Sequence, residues 1–167
     1  MDKNFENLIR YFPLVQLPFT LEKGSEHDFG MTNDILPTAL FEELISPHLS
    51  FEVDEFTEML PGYHWRSDQD GYLLVFWVAR LLKYSFIVFS YTKDGVWIDD
   101  AEIAGLLYEN DEVCYRIANI AERNSIYIVE AGVTDDDQPI NPQNTSKWVL
   151  ELRPDGQFVQ TSADEIE

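Results

Sequence analysis

Basic residues are scarce in this chain and cysteine is almost missing: 11 Lys and Arg stand against 31 Asp and Glu, with one Cys, Cys114. A single cysteine cannot close an intramolecular disulfide, so a reducing, cytoplasmic compartment is expected. Without a basic patch there is nothing to neutralise phosphates, which argues against DNA, RNA and anionic membranes as partners. Long apolar runs are missing too. The stretch from Tyr11 to Leu21 is interrupted by Pro13 and Pro18, whereas a membrane span needs about 20 apolar residues. Asp2 and Glu6 also put acids where a signal peptide carries its basic region.

Motifs for chemistry are equally sparse. The 8 glycines are scattered, so no phosphate-cradling loop forms. His27, His48 and His64 fall in different segments with no second ligand at metal spacing, and Cys114 has no Cys partner. Asp135-Asp136-Asp137 lacks the spaced acids, glycine and closing Glu of a calcium loop and reads as a solvated turn. There is no Gly-x-Ser-x-Gly, and Cys114, between Val113 and Tyr115, reads as a small buried hydrophobe. With 31 acids, pairs such as Asp99 and Glu102 arise without any acid–base role. No catalytic residue, cofactor or metal is assigned.

What the chain does have is core material. Hydrophobic residues make up 45% and aromatics 14% of 167 residues, a length that fits one domain over 1–167. Phe5, Leu8, Ile9 and Phe12 predict a short helix over 3–11, closed by Pro13. Lys23 to Gly30 is polar and glycine-flanked, hence a loop. A second helix follows Thr38, with Leu40, Phe41, Leu44 and Ile45 as its apolar stripe and Pro47 as its stop.

From Tyr63 the pattern turns to strands. Leu73 to Val78 is apolar at every position, which predicts cover on both faces. Phe86 to Tyr91 is as dense, and Asp94-Gly95 turns the chain into Val96 to Ile98. Val113 to Ala121 fits a helix as well as a strand, and pairing with Ile126 to Val133 favours the strand. Lys147 to Leu152 then returns along Gln157 to Thr161 through Arg153-Pro154-Asp155-Gly156. The expected fold is α+β and mainly β. It is an antiparallel meander of about seven strands, a curled sheet or partly closed barrel, with two short N-terminal helices.

The order Phe86-Ile87-Val88-Phe89-Ser90-Tyr91-Thr92-Lys93-Asp94-Gly95, then Trp97-Ile98-Asp99 and Ile103-Ala104-Gly105, resembles a strand-turn-strand pattern of small uncharacterised proteins of Bacteroidetes-type bacteria. The resemblance implies a β-rich fold and carries no activity, cofactor or site residue with it.

A net charge of -20 serves solubility or selects a basic partner. The functional expectation is a non-enzymatic acidic interaction protein that docks a basic protein, an immunity or inhibitor protein being a specific version. Its partner-binding candidates are acids expected on loops: Asp99, Asp100 and Glu102, and Asp135, Asp136 and Asp137, with the stretch 109–112 beside them. The alternative is a small-ligand-binding, barrel-like domain lined by Tyr72, Phe76, Trp77, Phe86 and Phe89.

Overall fold

The computed structural model describes residues 2–109, 112–132 and 145–162. The apolar second part of the chain builds one antiparallel meander. Its strands are β2 (Glu58–Arg66), β3 (Tyr72–Arg80), β4 (Lys83–Tyr91), β5 (Trp97–Glu109), β6 (Glu112–Glu122), β7 (Ser125–Gly132), β8 (Thr145–Leu152) and β9 (Phe158–Ser162), each paired with the next. A short β1 (Phe19–Leu21) pairs with β6 off this path. Two turns form as their residues dictate. Gly95 N–H donates to Thr92 O, and Gly156 N–H donates to Arg153 O. The ambiguous stretch is strand, with Ile117 opposite Val129 and Ile120 opposite Ile126.

Two features differ from expectation. The strands number nine because Glu58–Arg66 adds the edge strand β2 and the proline-containing segment donates β1, next to Pro18. The second difference is that the ladder stays open: among the described residues β9 pairs only with β8, so no barrel closes. Side-chain bonds, not ladder bonds, connect the early and late strands. Trp65 Nε1–H donates to Arg123 O at 3.0 Å, and Ser90 Oγ–H donates to Gly156 O at 2.6 Å.

Strand alternation explains why Leu73 to Val78 is apolar throughout. Leu73 and Val75 join one buried cluster with Phe86, Val88, Ile103 and Ile120, whereas Leu74, Phe76 and Val78 join another with Phe5, Phe12 and Phe89. The ligand-pocket alternative meets the same alternation. Trp77 and Phe86 belong to the first cluster, and Tyr72, Phe76 and Phe89 to the second, so the five candidates are divided between opposite faces. Phe76 and Phe89 pack edge to face with centroids 5.0 Å apart.

Gly105 marks where β5 changes neighbours. It is opposite Ser85 of β4 and Arg116 of β6, and β1 takes the place beside β6 from Ala118 to Ile120. Its φ is +121°, and a Cβ there would stand 2.5 Å from Tyr84 O and 2.7 Å from Ser85 Cα. Only glycine fits both demands.

The N-terminal third packs on both clusters, with Phe5, Leu8, Phe12, Leu36 and Ile45 in the second and Leu21 and Phe29 in the first. Helix α1 (Lys3–Ile9) is capped by Asp2, whose carboxylate accepts Asn4 N–H at 2.9 Å, and it buries Phe5 and Leu8. The polar segment expected to be a loop is helix α2 (Ser25–Thr32), held by one buried side chain, Phe29. A lone anchor leaves no periodicity to read. Phe29 packs against Tyr63 and Phe86 and over Gly62, where a Cβ would meet its ring at 2.7 Å. The third helical stretch starts as α3 (Thr38–Leu40) and continues through a π-turn, Phe41–Ile45, and a 3-10 turn, Ser46–His48. Among the described residues no helix is long and apolar enough to cross a membrane.

Candidate functional site

The acids expected on a loop at 99–102 lie inside β5 instead, and each has a local task. Alternation puts Asp99 and Asp100 on opposite faces. Asp99 Oδ1 accepts Asp100 N–H at 2.8 Å, and Oδ2 accepts Phe158 N–H at 2.9 Å, which fastens the start of β9 to β5. Glu102 Oε2 lies 3.5 Å from Lys83 Nζ and 3.7 Å from Arg80 Nη2. The Arg80 guanidinium is roofed by the Phe51 ring, 3.8 Å from its centroid. Burial, then the charges of Asp99 and Glu102, pushes the Asp100 carboxyl above its usual range. These three side chains are half-buried, and those of Asp99 and Glu102 are engaged within the sheet. Asp135, Asp136 and Asp137 lie outside the described residues, as do positions 110 and 111 of the expected acidic loop at 109–112.

A more exposed set of acids lies earlier in the chain. Between Lys23 and Arg66 the chain has no Lys or Arg across residues 24–65, yet it has nine acids and all 3 histidines. Eight of those acids are exposed: Asp28, Asp34, Glu42 and Glu43, then Glu52, Asp54, Glu55 and Glu58; Glu26 is half-buried. This segment builds α2, α3 and its continuation, and the edge strand β2. Phe29 of α2 packs in the first cluster and Leu36 and Ile45 in the second, so these acids flank the β2 edge of the sheet from both faces. Asn33 fixes the layer to the edge by donating from Nδ2 to Pro61 O at 2.6 Å and Gly62 O at 2.9 Å.

Bordering cations do not neutralise it. Arg66 donates to the Asp70 and Gly71 carbonyls and sits over the Tyr72 ring at 3.9 Å. Arg80 is drawn towards Phe51 and Glu102. Arg10 borders the layer across an open cleft from Asp34, and none of the described ion pairs includes an acid of 24–65. The sequence signal for this surface was the gap in Lys and Arg, which a search for runs of consecutive acids passes over.

The layer's histidines serve structure in two of three cases. His48 stacks on Trp97 with centroids 4.5 Å apart and planes 8° from parallel, and burial lowers its pKa. His64 Nδ1–H donates to Phe12 O, and burial is the main cause of its lowered pKa. His27 is exposed. Among the described residues no three His, Cys, Asp or Glu side chains converge as a metal-ligand set.

Inside the acidic layer is a small apolar recess of about 150 Å³, lined by Leu36, Thr38, Phe41, Thr57 and Met59. Thr57 ties the recess to the 54–57 turn, which Asp54 builds. Asp54 Oδ1 accepts Phe56 N–H at 2.8 Å and Thr57 Oγ–H at 3.2 Å. Phe56 is exposed at 55% and Ile35 at 82%, each next in sequence to a residue that lines the recess. No family model matches this chain, and no curated protein and no solved structure matches it either.

Proposed function

We propose that this protein is a non-enzymatic docking module that binds a basic protein through the acidic layer of residues 24–65, in the manner of an immunity or inhibitor protein. One observation carries the reading: residues 24–65, which border the β2 edge, hold eight exposed carboxylates and no Lys or Arg. Solubility alone would be served by acids dispersed among cations. A one-sign surface focuses its field, speeds encounter with a cationic partner and repels polyanions. A cytoplasmic setting goes with this reading, since one cysteine and no disulfide suit a reducing compartment.

The test uses hexalysine as the probe, titrated into ¹⁵N-labelled protein at about 50 and 300 mM salt. Saturable shifts gathering on residues 28–58 and weakening steeply with salt are expected. Absence of saturable binding at low salt, or shifts centred on Asp99 to Glu102, would refute the assignment.

A further inference from the structure

We infer that the recess lined by Leu36, Phe41 and Met59 seats one lysine or arginine side chain of the basic partner, with Asp54 receiving its cationic head. This rests on the docking reading above and names the chemistry it recognises. The recess, about 150 Å³, has the space of about five waters, enough for one long side chain. Its lining joins three apolar side chains, Leu36, Phe41 and Met59, to the hydroxyl-bearing Thr38 and Thr57. Lysine and arginine have that same division, an aliphatic stem that packs on apolar surface and a charged head that stays at its border.

The head group has a defined acceptor. Asp54 Oδ1 is occupied by Phe56 N–H and by Oγ–H of the lining residue Thr57, which holds the carboxylate one hydrogen bond from the recess, and among the described contacts its Oδ2 has no protein partner. Because no Lys or Arg occurs in 24–65, no cation of the same layer competes for that oxygen. A neutral alkyl group would satisfy the walls and leave the carboxylate alone. An anion would meet the field of Asp54, Glu55 and Glu58. A cation on an aliphatic stem satisfies both parts.

The experiment follows Met59 and Leu36 methyl signals and the 54–57 amides by NMR, using N-acetyl-lysine amide, N-acetyl-norleucine amide and hexalysine as probes. Lysine amide should move these signals at least tenfold more effectively than norleucine amide. Asp54→Asn should weaken lysine amide about tenfold, because the Asn carbonyl still accepts Phe56 N–H and keeps the turn while the charge is lost. Thr38→Trp, which fills the mouth from an exposed position, should abolish the Met59 response and leave most hexalysine binding intact. Equal response to norleucine amide would overturn the cation assignment. Salt-dependent hexalysine binding that leaves Met59 and Leu36 unmoved would sink the recess while docking stands. Complete failure of hexalysine to bind would sink docking, and the lysine amide response would still decide the recess.

Discussion

Glu102 and the outer acids carry the same charge in opposite roles, so neutralising them should separate stability from binding. In Glu102→Gln, two cations lose a carboxylate at 3.5 and 3.7 Å. At an effective dielectric of about 20 each contact is worth roughly 4 kcal/mol before desolvation. The side chains are 20–26% exposed, which reduces that figure through solvent screening, and desolvation offsets much of the rest. A net loss of about 2 kcal/mol is expected, between the values for surface and fully buried pairs. For a chain of this size that lowers Tm by roughly 4–8 °C. The triple variant Glu52→Gln, Glu55→Gln, Glu58→Gln removes exposed acids that have no ion pair, so each change should stay within about 0.5 kcal/mol. Its affinity for hexalysine should fall about 5- to 150-fold at low salt, from three exposed pairings of about 0.3 to 1 kcal/mol each. Calorimetry and titration on both variants give the answer. If Glu102→Gln weakens hexalysine as much as the triple variant and leaves Tm unchanged, the assignment of roles is wrong.

Asp100→Asn should stabilise the protein at neutral pH. A carboxyl with a raised folded pKa destabilises the native state above that pKa, and the penalty disappears as pH falls towards the unfolded value near 3.8. The gain in Tm should therefore shrink on acidification, and a gain unchanged between neutral and mildly acidic pH would contradict it. Gly105→Ala should lower stability by at least about 3 kcal/mol, since left-handed strain adds to a backbone clash at 2.5 Å; urea unfolding would measure it. At the β3–β4 hairpin tip, Leu82 has φ +65° and is 78% exposed. Leu82→Asn should relieve about 1 kcal/mol of left-handed strain and raise Tm by about 2–4 °C, whereas an unchanged or lower Tm in calorimetry would argue against strain there.

Much of the sheet could be read before any coordinates, because its signals are local. Leu73 to Val78 and Phe86 to Tyr91 announce strands by composition, and Asp94-Gly95 and Asp155-Gly156 announce the turns that join their neighbours. Where the signal depends on distant chain, reading failed. Helix α2 is stabilised by Phe29 reaching across to Gly62 and Phe86, a contact without local periodicity. β1 exists because β5 departs from β6 at Gly105, leaving Ala118 to Ile120 open to a partner. The acids of 99–102 looked like a loop because charge suggests exposure. In the strand their cost is met by Lys83, Arg80 and the Phe158 N–H, groups brought near only by folding.

The sequence by itself determined an antiparallel, strand-rich fold, its principal turns and an excess of negative charge, because these follow from residue type and short-range spacing. Only the tertiary structure decided which carboxylates are consumed inside the sheet and which remain on its edge layer. That division depends on which cations, N–H groups and aromatic rings come within a few ångströms, and chain order does not specify such distances.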